Sequence, residues 1–176
     1  MNNSSNLTPR YCYDSIEGIT VITPPRVNMF RLKMALIFLK QNDYTAYRKF
    51  KRLVRTLFII TETGYQSAVF AKERIVMMEG SIFEDETFDF RYISSLLIHE
   101  LHHIAQYLSG HPSGGDSAET HAYVKQRKYL KKINYLHAIN WLDLCYQSNW
   151  WHEFYDDPNG ANRFQTFLNQ NIKWIK

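Results

Sequence analysis

The chain has 176 residues, 45% hydrophobic and 22% charged, which is the composition of an ordinary soluble domain long enough to bury a real core. A net charge of +4 with pI near 9.0 is mild and its Lys and Arg are dispersed, which weighs against nucleic acid as a partner. No apolar run approaches the length of a membrane span, and the two distant cysteines, Cys12 and Cys145, mark neither a disulfide framework nor a cysteine-based metal site.

Residues 1–10, "MNNSSNLTPR", are polar and have no apolar signal core; they are expected to be disordered, with 11–176 forming one domain. The protein is then expected to be cytoplasmic, or exported by a route that needs no N-terminal signal. "YCYDSIEGITVIT" predicts a short strand, stopped by "TPPR". From Val27 to Lys40, Met29, Phe30, Met34, Ile37 and Phe38 recur at helical spacing. A second helix is predicted from about Tyr44 to Phe58, with Tyr47, Phe50, Leu53, Val54 and Leu57 inward and "TETG" as its breaker.

Residues Gln66 to Phe83 read as a hairpin: "SAVFA" and "RIVMME" are β-prone, with "KER" at the turn. After the acidic connector "EDETFDF", a helix starts near Asp89–Tyr92 and runs to about Leu108. "SGHPSGGDS" is a loop, and Asp116 or Ser117 is expected to cap a long helix reaching about His137. From Ala138 the chain reads as helical and aromatic, interrupted at "DDPNGAN". The basic runs "YRKFKRLVR" and "KQRKYLKK" read as solvated helix faces. The fold class expected is α+β, mainly helical, with a small antiparallel sheet or hairpin over the helix that ends at Leu108.

That helix carries the chemistry. In "LLIHELHHIAQY", His99, Glu100 and His103 spell H-E-x-x-H. At about 100° per residue, His99 and His103 lie about 40° apart on successive turns, so both imidazoles can meet one Zn²⁺. Glu100 sits beside them, able to reach a water without being a ligand. Leu97, Leu101, Ile104, Ala105 and Leu108 form the opposite, core-facing side. The helix is thus expected to be buried on one face and to bind metal on the other.

A catalytic zinc site wants a third protein ligand and an open position. Glu119, in the first turn of the next helix, supplies one; Asp116, His111 and His121 are rivals. Tyr123, Gln126 and Leu130 share the face of Glu119. Gln106, about 20° from His99 in projection, can orient a ligand, and His102 is turned away.

His99-Glu100-x-x-His103 followed by Glu119 in an E-x-x-A setting resembles the gluzincin branch of the zincin metallopeptidases. The resemblance covers roughly Ala68 to Leu130, a little over a third of the chain. The metzincin pattern fails, because Gln106 and Ser109 stand where that family has Gly and the third His. The resemblance implies a zincin-like domain holding one Zn²⁺ per chain, with an edge strand in "AVFAKERIVMMEG" that pairs with an extended peptide above the helix. It also implies hydrolysis of peptide bonds in a protein or peptide substrate, with Glu100 as general base.

An oxyanion donor is needed as well. Candidates are Tyr123, His121, Tyr107 and His152, among which the sequence does not choose; Tyr123 and His121 share the helix of Glu119. The alternative is a catalytically inactive protein of the same fold that binds metal or a partner, of the effector or toxin-associated kind. The presence of Glu100 weighs against it, since a binder needs only the ligands. No nucleic-acid or membrane partner is expected. The aromatic "NWWHEFYDDPNG" (Asn149–Gly160) offers a docking surface or, more simply, a helix pair packed on the core.

Overall fold

The structure is a computed structural model and describes residues 11–25, 27–60 and 67–148. The expectations for residues 1–10, for the breaker "TETG", for His152 and for the aromatic segment from Asn149 lie outside the described residues. The fold is α+β. Six helices accompany a five-stranded mixed sheet among the described residues.

"YCYDSIEGITVIT" makes two strands rather than one: β1 (Cys12–Ile16) and β2 (Ile19–Thr23), paired antiparallel. The two residues between them, Glu17 and Gly18, both have positive φ (54° and 81°), as the favoured two-residue hairpin turns require. Helix α1 (Phe30–Asn42) follows. It buries Leu32, Ala35, Leu36 and Leu39, not the expected stripe, and leaves Phe30 65% and Ile37 39% exposed. Apolar residues lie on every side of α1, so periodicity alone does not select the inner face. Asp43 ends α1 and caps α2 (Tyr44–Leu53), its Oδ1 accepting from the Ala46 N–H at 3.0 Å.

The helix expected to reach Phe58 stops at Leu53, and Thr56–Ile60 is strand β3. All five of its residues are buried, because β3 lies in the middle of the sheet. A short, unbroken apolar run is what such a strand looks like in sequence. The expected hairpin is present as β4 (Ser67–Phe70) and β5 (Ile75–Glu79), antiparallel. It belongs to a larger sheet of order β1-β2-β3-β5-β4, in which β3 runs parallel to both β2 and β5. The sheet is therefore mixed, not the small antiparallel one expected.

The pleat divides the apolar residues between two clusters. Val21, Leu57, Ile59, Val76 and Met78 join Leu36, Ile93, Leu97, Leu101 and Ile104 in the main core between sheet and helices. Ile22, Phe58, Ile60, Ile75 and Met77 cluster on the opposite face with Tyr11, Ala68 and Phe70.

A short helix, α3 (Ser81–Glu84), leads to the central helix α4 (Phe90–Leu108). Asp89 caps α4 by accepting from the N–H groups of Arg91 and Tyr92. Leu97, Leu101 and Ile104 are buried as expected, but Leu108 is 49% exposed, since it stands in the last turn beyond the core.

Helix α5 (Asp116–Lys132) begins from Gly115, and no side chain caps it. Asp116 is its first helical residue rather than the cap, as Gly115 already occupies the capping position. The helix also ends before the expected His137. Asn134 adopts φ 52°, its N–H bonds the Lys131 carbonyl, and the Tyr135 N–H bonds the Leu130 carbonyl. This is the left-handed termination that asparagine tolerates. Helix α6 (Leu136–Gln147) follows. No described helix is long and apolar enough to cross a membrane.

Candidate metal centre

The short Gly-containing loop from Ser109 to Gly115 reverses the chain, so α5 packs antiparallel along α4. Contacts run down the pair in order: Ser94 to Tyr129, His99 to Gln126, His99 and His103 to Glu119. Helix α4 packs on its other flank against β4, the last strand of the sheet. The polar face of α4 is thereby enclosed between a helix and a sheet edge.

Three side chains converge there. His99 Nε2 lies 3.0 Å from His103 Nε2 and 3.2 Å from Glu119 Oε2, and His103 Nε2 lies 3.5 Å from Glu119 Oε1. One ligand atom from each residue falls within 4.8 Å of the others, a grouping that can hold a metal ion. Two imidazole nitrogens and two carboxylate oxygens gathered at these distances are acceptors crowding acceptors, unless a cation, proton or metal stands among them.

The protonation tendencies agree. Burial is the largest influence on His99 and pushes its pKa down, but the Glu119 hydrogen bond and the charges of Glu100 and Glu119 together raise it above the ordinary value. Burial likewise pushes Glu119 up, and hydrogen bonds from His103 and His99 outweigh it, holding the carboxyl far below the usual range. The direction of that shift favours an anionic Glu119, which attracts a cation.

Glu100 is only 3% exposed, and Ser67 of β4 donates its hydroxyl to Glu100 Oε1 at 2.6 Å. Oε2 carries no hydrogen bond among the described residues. A buried carboxylate is thus tied by one oxygen beside the convergent triad.

The other candidates lie elsewhere. Tyr123 donates its hydroxyl to Asp143 Oδ1 at 2.5 Å and stacks on Tyr146, which places it in the α5–α6 contact. Burial, followed by that bond, pushes its pKa up to about 12. His121 is exposed, its ring 6.4 Å from that of His102. Among the described residues no hydrogen bond or ring contact joins Tyr123 or His121 to His99 or His103. His111, Asp116 and Tyr107 are exposed.

The glutamine that meets His99 also differs from the one expected. Gln126 Oε1 meets His99 Nδ1 at 3.1 Å, whereas Gln106 Oε1 is buried with no partner among the described residues. The spacing held the signal: Gln126 follows Glu119 by seven residues, two turns along the same face. Ser67 carried no such signal, because its role depends on the place of β4 in the sheet.

The chain matches no known family model, no curated protein and no solved structure at a significant level. The functional reading therefore rests on the geometry.

Proposed function

We propose that the protein is a zinc-dependent peptidase of gluzincin type, hydrolysing peptide bonds of a protein substrate. The observation that carries this reading is the convergence of His99, His103 and Glu119 with Glu100 held alongside by Ser67. Two imidazoles and a carboxylate are a donor set that suits Zn²⁺ with one position left open, and their ligand atoms lie within 4.8 Å of one another. Bound there, Zn²⁺ supplies Lewis acidity, lowering the pKa of a water and polarising a carbonyl.

The protein's own groups supply the rest. Glu100 accepts the proton of the attacking water at Oε2 and passes it to the leaving amine, while the Ser67 bond at Oε1 fixes the plane of the carboxylate. Among the described residues β4 pairs only with β5, so its outer edge can take an extended peptide as a further strand beside α4. Tyr123 and His121 stay candidates for the oxyanion donor only through rearrangement, given their present partners.

The test is cleavage of a peptide library by the zinc-loaded chain, with and without chelator, beside Glu100→Gln. The amide holds a water but accepts no proton, so the variant is expected to keep metal and fold while losing roughly 10²–10⁴-fold in rate. Undiminished turnover in Glu100→Gln contradicts the mechanism. Zinc binding with no cleavage of any peptide by either chain favours the inactive metal-binding alternative.

A further inference from the structure

Gln126 is 1% exposed and Ser95 fully buried, and the two are linked in a chain of hydrogen bonds whose direction can be read. Ser95 donates its only hydroxyl proton to the Tyr92 carbonyl at 2.7 Å, one turn back on α4. Its oxygen is then an acceptor, and the Gln126 amide nitrogen donates to it at 3.1 Å. That fixes which way the carboxamide faces: its oxygen, Oε1, meets His99 Nδ1 at 3.1 Å. An acceptor at that position needs a proton on Nδ1. A neutral ring with its proton on Nδ1 has its lone pair on Nε2, the nitrogen that faces His103 and Glu119.

We propose that Gln126, itself oriented by Ser95, is a positioning residue that holds His99 as the Nδ1–H tautomer and so presents Nε2 to the metal. The inference rests on the metal centre proposed above and deepens it. Helix α5 supplies both a ligand, Glu119, and the brace for a ligand on α4, two turns further along one face. The brace is one-sided. His103 Nδ1 is buried with no partner among the described residues, so of the two imidazoles only His99 has its Nδ1 held by a side chain there. A carboxamide leaves the imidazole less basic than a carboxylate would, which keeps more of the metal's charge for its open position.

The experiment is an equilibrium zinc titration against a chromophoric chelator, with circular dichroism of each metal-free chain. Long-range ¹H–¹⁵N spectra of the zinc-loaded protein report the His99 tautomer. Gln126→Leu is expected to weaken zinc binding by about 10–100-fold. Gln126→Glu is expected to bind at least as tightly as the parent chain, because the carboxylate accepts the same N–H. Ser95→Ala falls between, and with Gln126→Glu it decides the matter should Gln126→Leu fail to fold.

Parent-like affinity in a folded Gln126→Leu overturns the inference and leaves the metal centre standing. A proton on His99 Nε2 in the loaded protein overturns it too. If the parent chain binds no zinc, the centre itself is misassigned, and this is recognisable because every variant then behaves alike.

Discussion

Glu119 raises the pKa of His99 and the histidines lower that of Glu119, so metal binding at the proposed centre would compete with a proton. The Glu119 bond and the neighbouring carboxylates raise the His99 pKa against the burial that lowers it, so a proton stays on His99 above its usual range near 6.5. A metal needs the neutral ring. Apparent zinc affinity should therefore be full only above that raised value and fall about tenfold per pH unit below it. A titration series from pH 5.5 to 8 checks this, and a flat profile contradicts it.

His102 behaves in the opposite way. Burial first, then the charges of His103, Lys125, Lys49 and His121, lower its pKa to about 4. Between pH 6.5 and about 4 the unfolded chain binds a proton at this residue and the folded chain does not. His102 thus contributes stability above about pH 6.5 that is lost progressively as the pH falls toward 4. The unfolding free energy of His102→Gln should show a shallower acid slope over that window, and an unchanged slope removes the effect. At Ser67, replacement by Ala should lower kcat while zinc content and KM hold, with Ser67→Thr retaining activity through its hydroxyl; equal kcat in Ser67→Ala means that the bond to Glu100 orients nothing that matters.

Among the elements, the start of α5 decides whether Glu119 reaches the histidines. Gly115 precedes it with φ 83° and ψ 172°, a conformation that side chains rarely adopt, and a Cβ there would meet nothing within 4 Å. The cost of Gly115→Ala is therefore conformational, about 1–3 kcal/mol, and should appear as a lower thermal midpoint together with weaker zinc binding. An unchanged midpoint would show that α5 starts equally well from another backbone path.

The sequence made α4, α5 and the triad legible for a physical reason. His99 and His103 stand one helical turn apart, and the Gly-rich loop after Leu108 allows only a tight reversal. β3 was hidden because the amphipathic period of Tyr47, Phe50 and Val54 runs straight into "TLFII", where helix and buried strand have the same apolar appearance. The turn at Glu17–Gly18 lacks the Asn or Asp that usually announces one, and Asn134 sits within an otherwise helical pattern. The links from Ser67 to Glu100 and from Gln126 to His99 span 33 and 27 residues and depend on packing that no local pattern encodes.

For the whole molecule, the candidate centre joins the two longest helices of the described fold, so a metal bound there would couple to stability. Free zinc at about 1,000 times its Kd would add roughly 4 kcal/mol. In a domain of this size that is on the order of 10 °C in thermal midpoint. Coincident melting curves with zinc and with chelator contradict the coupling.

Occupancy of the His99, His103 and Glu119 cluster by one zinc ion underlies the proposed function. Its most direct test is the metal content by mass analysis of the purified, zinc-reconstituted chain beside His103→Ala and Glu119→Ala. The geometry predicts about one zinc per parent chain, none retained by His103→Ala, and weak, readily stripped metal in Glu119→Ala. A parent chain without zinc, or a His103→Ala chain at full occupancy, contradicts it.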